Sequence, residues 1–278
     1  MERIVVGVDG SPASLKALSW ADGIAQPSGA TLVVVRAGLA SKADISRDLY
    51  AELGDKARRE LDGWCKDRGL AVTPESVVSD EDPRVALVAV SGEQQAGLLV
   101  IGARGTSSLA GTFLGGVAQH LAQHPTFPLA IVPADAAIET RHIVVGVDGS
   151  PGSLASARFC ADLASALAVS VTAVHAQEPF AEWVPASDPD GWQRHAQTQV
   201  REWAAPIAAA DVPVEVVVDR DIHPVAALTR ALQARPGSIA VVGTRGQGGF
   251  AGLRLGRVPL QLLHHAGCPV VIVPHGQA

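Results

Sequence analysis

A glycine-rich segment, IGARGTSSLAGTFLGGVA at 101–118, has the residue types and the spacing of a phosphate-binding loop. Gly102 and Gly105 follow an apolar run, and glycine lets a backbone adopt a positive φ and approach an anion closely. Gly115 precedes a helix-like stretch, whose first N–H groups and dipole would favour negative charge. Arg104 lies inside the loop and would either add positive charge to such a site or face solvent.

The chain carries this segment twice. VGTRGQGGFAGLRLGRVP at 242–259 aligns with it without a gap, which gives Gly243, Arg245, Gly246 and Gly256 the corresponding positions. The shared spacing, Gly-x2-Gly-x9-Gly, lacks the Gly-Lys-Ser/Thr ending of a Walker loop and differs from GxGxxG. In a single copy the glycines could simply form turns after the strand. Two copies with the same spacing favour a functional loop.

An aspartate follows the first apolar run of each copy, Asp9 in one VGVDGS and Asp148 in the other. Both would lie beyond the carboxyl ends of parallel strands, where open α/β sheets bind ligands. Each aspartate would either contact a ligand or cap the following helix. His175 would lie near the same edge, as a ligand-lining or a core residue. No Ser-His-Asp or Cys-His set can be assembled, so the sequence favours binding over catalysis.

The elements that must position these residues alternate between strands and helices. IVVGVDGSP at 4–12 recurs at 143–151, and a repeat of this length indicates two whole domains in tandem. Val-rich runs separated by helical stretches require right-handed crossovers and a parallel sheet. We therefore predict an α/β fold with two tandem, doubly wound, Rossmann-like domains at 1–137 and 138–278. Each would have a five-stranded parallel sheet flanked by helices.

Composition and charge exclude several classes of protein. The 278 residues are 47% hydrophobic and 18% charged, which suits packed cores and argues against disorder. A net charge of −6 without a long basic run argues against a nucleic-acid partner. The start of the chain is unlike a signal peptide, and no apolar stretch reaches the roughly 18 residues that a membrane helix needs. We expect a soluble, cytoplasmic protein.

The glycine spacing after a strand, the preceding VGVDGS and the closing PLAIVP or PVVIVP together resemble the universal stress protein family. The resemblance covers both halves, and the doubled arrangement is similar to that of the family's tandem members. It implies an adenine nucleotide alpha hydrolase-like fold and a site for ATP, with AMP, ADP or cAMP as alternatives. The three glycines of each copy would then hold phosphate, and Asp9 and Asp148 would lie near ribose and phosphates. The backbones of Ala37 and Ala176 would lie against adenine.

Both copies depart from the family at the hydroxyl that ends the loop. Gly116 and Arg257 occupy that position, followed by Val117 and Val258, which are also predicted nucleotide-binding residues. One lost hydrogen bond to a charged group corresponds to roughly a 10- to 100-fold weaker affinity. Arg257 would either contact phosphate or fill the pocket, and Pro259 removes a backbone donor. The first copy is therefore the better candidate site.

The resemblance implies a regulatory, stress-response module that binds ATP with little or no turnover. Magnesium would accompany the nucleotide, with Asp9 as its contact. The alternative is a scaffold or protein-interaction member that has lost nucleotide binding, and a slow hydrolase is a weaker one. By resemblance, the segments PLAIVP at 128–133 and PVVIVP at 269–274 would pair the two domains as a pseudo-dimer within the chain, and a further homodimer stays open.

Overall fold

A computed structural model of the chain describes residues 1–38, 47–106, 114–177, 189–220, 222–247 and 255–275. The chain divides into two compact units, Met1–Glu139 and Thr140–Ala278. Each unit alternates strands and helices along its sequence, as the pattern of Val-rich runs predicts.

The first unit contains one parallel sheet with the order β3-β2-β1-β4-β5. Its strands are β1 (Arg3–Gly7), β2 (Thr31–Arg36), β3 (Glu75–Val78), β4 (Leu98–Gly102) and β5 (Leu129–Val132). Its helices are α1 (Pro12–Ser28), α2 (Arg47–Arg68), α3 (Pro83–Glu93) and α4 (Gly116–Gln123). Residues Ile4–Val6 of β1 and Leu32–Val35 of β2 are buried in the core, because helices cover both faces of the sheet.

The second unit repeats this sheet with the order β10-β9-β6-β7-β8, again entirely parallel. Its strands are β6 (His142–Gly146), β7 (Ser170–Gln177), β8 (Val214–Arg220), β9 (Ser238–Gly243) and β10 (Val270–Val273). Its helices are α5 (Pro151–Leu167), α6 (Pro189–Trp203), α7 (Ala205–Ala209), α8 (Pro224–Gln233) and α9 (Arg257–His265). The predicted fold class, two five-stranded doubly wound sheets, is confirmed.

The first helix of each unit begins at a Ser-Pro pair. Ser11 is the N-cap of α1, its Oγ accepts the Ser14 N–H at 3.2 Å, and Pro12 occupies the first helical position. Ser150 caps α5 in the same way, again at 3.2 Å from the Ser153 N–H. Because proline cannot donate from its backbone, it is tolerated at this position and fixes where the helix starts.

The described ranges contain no helix that is both long enough and apolar enough to cross a membrane. The helical region between β7 and β8 of the second unit is not one continuous helix. That region holds α6 and a separate short helix α7, with Pro206 in the first turn of α7. Residues 178–188, which separate β7 from α6, lie outside the described part of the chain.

A buried histidine at the start of β6 predicts a pH-dependent stability. His142 is 7% exposed, and its ring nitrogens contact the hydroxyls of Ser170 at 2.9 Å and Thr172 at 2.8 Å. Burial lowers its pKa, the charge of Arg235 lowers it further, and the charge of Glu215 opposes that effect. Because the folded state binds the proton less readily, the unfolded chain takes up more protons once the pH falls below about 6.5.

The free energy of unfolding should therefore fall as the pH drops from about 6.5 to the lowered pKa of folded His142. The free energy of unfolding can change by at most about 1.4 kcal/mol per pH unit, because a single proton is taken up. Urea midpoints between pH 8 and pH 5 measure the effect, with His142→Gln as the variant that should flatten it. Parallel curves for wild type and variant would contradict the assignment to His142.

Candidate functional site

A cleft of about 550 Å³ lies at the carboxyl ends of β1, β2 and β4 in the first unit, between the starts of α3 and α4. All eight residues that the sequence predicts for the first copy line it. They are Asp9, Ala37, Gly102, Arg104, Gly105, Gly115, Gly116 and Val117. The sheet order explains this convergence, because β1 lies between β2 and β4 and their ends share one edge.

The carboxylate of Asp9 joins the turn after β1 to the loop after β4. Its Oδ1 accepts the Ser11 N–H at 3.0 Å, and its Oδ2 accepts the Thr106 N–H at 2.9 Å. Ser11 reinforces the link, because its Oγ donates to the Arg104 carbonyl at 3.0 Å. Asp148 makes the matching contacts in the second unit, to Ser150 at 3.0 Å and Gln247 at 2.9 Å. We name this arrangement the aspartate bridge.

Opposing effects set the pKa of Asp9. Burial raises the pKa, but hydrogen bonds from Ser11, Thr106 and Ser14 together outweigh burial and leave it below its usual value. The half-buried carboxylate is therefore ionised at neutral pH, and its charge is held by backbone N–H groups rather than by a cationic side chain. The Thr106 hydroxyl also lies 3.5 Å from Oδ2, so this oxygen contacts both the N–H and the side chain of one loop residue.

Gly102 at the end of β4 and Gly105 in the loop after it have a different role from the predicted one. Neither Gly102 nor Gly105 has a positive φ, so the prediction of left-handed backbone at these positions is wrong. They are needed because a side chain would not fit. A Cβ on Gly102 would lie 2.6 Å from the backbone of Ala13 and Ser14, and one on Gly105 would lie 2.6 Å from Asp9 Oδ2. Close packing, rather than backbone conformation, requires glycine here.

The start of α4 forms one end of the cleft and presents free backbone donors. The Gly115 N–H donates to the Ala103 carbonyl at 2.8 Å, and the first intrahelical bond runs from the Gln119 N–H to the Gly115 carbonyl. No side chain caps this end, and the described structure gives no partner for the N–H groups of Gly116, Val117 and Ala118. These orphan donors and the helix dipole favour an anion at this position.

Gly116 lies in open space at this helix start. A Cβ built on it meets no atom within 4 Å, and its φ lies outside the left-handed region. A larger residue would therefore fit without strain.

The other end of the cleft follows β2 and includes residues that the sequence reasoning missed. Ala37 is 7% exposed, and the adjoining Gly38 has φ +81° and donates its N–H to the Glu81 carbonyl at 2.9 Å. The missed lining residues come from the end of β2, from the first turns of α3 and from the loop. They include Arg36, Gly38, Asp82, Pro83, Arg84, Leu87 and Thr106. The start of α3 carries no motif, so only its Asp-Pro helix-start signal in the sequence could have drawn attention to it.

The matching cleft in the second unit is much smaller, at about 100 Å³. Six of the eight residues predicted for this copy line it: Asp148, Ala176, Gly243, Arg245, Gly246 and Val258. Gly256 and Arg257 do not. Arg257 is exposed on the first turn of α9, so of the two predicted outcomes it does not fill the pocket. His175 does line the cleft, with its Nδ1 2.9 Å from the Val147 carbonyl and its ring against Trp203.

The second helix start also offers fewer donors than the first. The Gly256 N–H donates to the Thr244 carbonyl at 2.7 Å, and the first intrahelical bond runs from the Leu260 N–H to the Gly256 carbonyl at 3.3 Å. Pro259 occupies the position that corresponds to Ala118 and has no N–H. Only the amides of Arg257 and Val258 remain, compared with three in the first unit.

The remaining candidates for chemistry do not assemble into a metal centre. His120 and His124 lie on α4 with ring centroids 4.9 Å apart, and His264 and His265 lie on α9. Within the described ranges no three His, Cys, Asp or Glu side chains are placed to hold one ion. Asp9, the predicted magnesium contact, lines the first cleft.

Comparison with known proteins identifies the relatives of this chain. The model of the Universal stress protein family matches residues 1–133 and again residues 139–274. Universal stress protein Rv2005c of Mycobacterium tuberculosis is 31% identical over 97% of this chain and 96% of its own length. A universal stress protein structure from Archaeoglobus fulgidus shows the same fold, with a TM-score of 0.68 and 19% identity over 99% of this chain and 98% of that one.

A further solved structure, a universal stress protein in complex with cAMP, is 32% identical and covers 47% of this chain and 96% of that one, with a TM-score of 0.38. The two family matches, one for each five-stranded unit, account for nearly all of the sequence. The repeat, the parallel sheets and these matches lead to one conclusion: the chain belongs to the universal stress protein family and carries its domain twice.

Proposed function

We propose that the first unit binds ATP or a related adenine nucleotide and that the chain acts as a regulatory, stress-response module with little or no turnover. One observation carries the proposal: the 550 Å³ cleft brings together the three loop glycines, Asp9, Ala37 and the uncapped start of α4. A cleft of this size is within the range typical of small-molecule sites.

The two ends of the cleft suit the two ends of a nucleotide. The three unpaired amides of Gly116, Val117 and Ala118 provide donors for phosphate oxygens, and the helix dipole adds to their effect. The buried backbone at Ala37 and the apolar side chains of Pro83 and Leu87 provide a surface for a flat base. Magnesium would accompany the bound phosphates, with the Asp9 carboxylate as its protein contact.

The alternative function, a scaffold without nucleotide, is favoured for the second unit only. Its cleft of about 100 Å³ is too small for a nucleotide, and Gly256 and Arg257 at the helix start do not line it. We therefore expect one nucleotide per chain. The second unit would contribute a surface rather than a ligand site.

Calorimetric titration of the whole chain with ATP, ADP, AMP and cAMP tests the proposal, and the expected stoichiometry with ATP is one. Ala118→Pro copies the second unit's Pro259 into the first and removes one donor from α4. Losing one hydrogen bond to a charged phosphate should weaken ATP binding about 10-fold. The reciprocal variant, Pro259→Ala, serves as the matched control and should leave affinity unchanged.

Three results would count against the proposal. Absence of binding for all four nucleotides would overturn it. Binding of two equivalents would add a site in the second unit, and a gain of affinity in Pro259→Ala without a loss in Ala118→Pro would move the site there. Steady accumulation of ADP from ATP, at a rate that depends on intact Asp9, would replace the regulatory module with a hydrolase.

A further inference from the structure

An ion pair at the start of α3 forms part of the first cleft. Arg84 and Asp82 both line it, and the Arg84 guanidinium donates from Nε and Nη2 to the Asp82 carboxylate at 2.8 and 2.7 Å. The second unit has His223 and Val225 at the corresponding positions, so it cannot form this pair. The pair is therefore particular to the unit with the larger cleft.

Asp82 is itself held in place by the helix. It is the N-cap of α3, and its Oδ1 also accepts the Arg84 backbone N–H at 2.8 Å. Hydrogen bonds from the Arg84 side chain, more than any other contact, lower the pKa of Asp82 to about 2. The carboxylate is therefore ionised throughout the pH range in which ligands would be studied, and the guanidinium keeps its partner.

The pair orients Arg84 more than it stabilises the fold. The two side chains are 48% and 42% exposed, and ion pairs this exposed contribute little to the free energy of unfolding. Two parallel hydrogen bonds do, however, fix the plane of a guanidinium. The Nη1 group of Arg84 and the faces of the plane have no protein partner among the described residues.

Neighbouring contacts place this plane at the end of the cleft that follows β2. Pro83 lies against Gly38, with its Cγ 3.2 Å from the position that a Gly38 Cβ would take. Leu87, one turn further along α3, lies against Gly7 at the end of β1. The unpaired amides of α4 follow β4 instead, and β1 separates β4 from β2 in the sheet. Pro83 thus places the start of α3, which carries Arg84, beside the end of β2, where we propose that the base binds.

We infer that Arg84, oriented by Asp82, packs its guanidinium plane against the purine ring and so determines how strongly the first unit recognises the base. The inference rests on the proposed function. Guanidinium groups stack on aromatic faces because they are planar, cationic and weakly hydrated. Lysine cannot replace this interaction, because its ammonium group is a hydrated point charge without a plane.

Titrations of the whole chain with ATP, adenosine and inorganic tripolyphosphate test the inference. Arg84→Ala should weaken ATP and adenosine binding by the same factor, about 3- to 10-fold, and leave tripolyphosphate binding unchanged. Arg84→Lys, which retains the charge, should lose as much affinity for adenosine. Arg59→Ala is the matched control, because Arg59 is exposed on α2 outside the cleft and its loss changes the net charge equally.

The outcomes separate base recognition from the alternatives. Unchanged adenosine affinity in Arg84→Ala, or full affinity in Arg84→Lys, would overturn the inference. A loss for tripolyphosphate as large as the loss for ATP would make Arg84 a phosphate contact, which also overturns it. If the wild-type chain bound neither ATP nor adenosine, the proposed function and this inference would both fall, whereas the other outcomes leave the proposed function standing.

Discussion

Replacing Gly116 with serine is expected to tighten ATP binding by about 10- to 100-fold. Gly116 lies at the first position of α4, a Cβ there meets no atom within 4 Å, and its φ suits any residue. A serine hydroxyl would add a donor beside the three unpaired amides, and a hydrogen bond to a charged group contributes about 1.5–3 kcal/mol. Isothermal titration of wild type and variant with ATP measures the change.

Two controls isolate the hydroxyl in this prediction. Gly116→Ala adds the Cβ without the oxygen and should leave affinity within about twofold of wild type. Arg257→Ser makes the corresponding change in the second unit, where Arg257 does not line the small cleft, and should create no new binding. If Gly116→Ser binds ATP no more tightly than Gly116→Ala, no phosphate lies at the start of α4.

A substitution at Gly102 should have the largest effect on stability. In Gly102→Ala the new Cβ would lie 2.6 Å from two backbone atoms of α1, at Ala13 and Ser14. Because backbone cannot yield as a flexible side chain does, β4 and α1 would have to separate. Overpacking of this kind costs about 1–3 kcal/mol and sometimes more. Thermal and urea unfolding measure the loss.

Two further glycine variants provide the comparison for these unfolding experiments. Gly243→Ala places a Cβ 2.7 Å from the backbone of Gly152 in the second unit and should destabilise that unit by a similar amount. Gly116→Ala should change the free energy of unfolding by no more than about 0.5 kcal/mol, because its surroundings are open. Equal stability for the Gly102 and Gly116 variants would show that β4 and α1 are not packed as described.

The fold could be predicted almost completely from the sequence. Val-rich runs such as Ile4–Val6 separated by helical stretches require parallel pairing, and the repeat predicts the number of domains. The Ser-Pro pairs at 11–12 and 150–151 determine where α1 and α5 begin. Serine is favoured as the N-cap, and proline is favoured at the first helical position that follows it. The break between α6 and α7 was missed, although Pro206 is its visible signal.

The site could be predicted only where a motif marks it. The loop glycines and Asp9 were found because their spacing repeats, and strand order then brings them to one edge. Arg84 and Asp82 were missed because α3 reaches the cleft through tertiary packing, which no local pattern encodes. The role of Gly102 and Gly105 was predicted wrongly, because glycine is required both where φ is positive and where packing leaves no room for a side chain. The sequence alone does not distinguish these two reasons.

The aspartate bridge has a consequence for how duplicated domains diverge. Both units keep the bridge and the glycine beneath it, since a Cβ on Gly105 or on Gly246 would collide with the aspartate Oδ2. Selection for folding alone would preserve Asp148, Gly243 and Gly246 after a duplicated unit had ceased to bind anything. In such a chain the repeated aspartate and loop glycines therefore indicate how many domains are present, not how many ligands are bound. Under the proposed function, occupancy depends instead on residues outside the shared glycine spacing, such as Pro259.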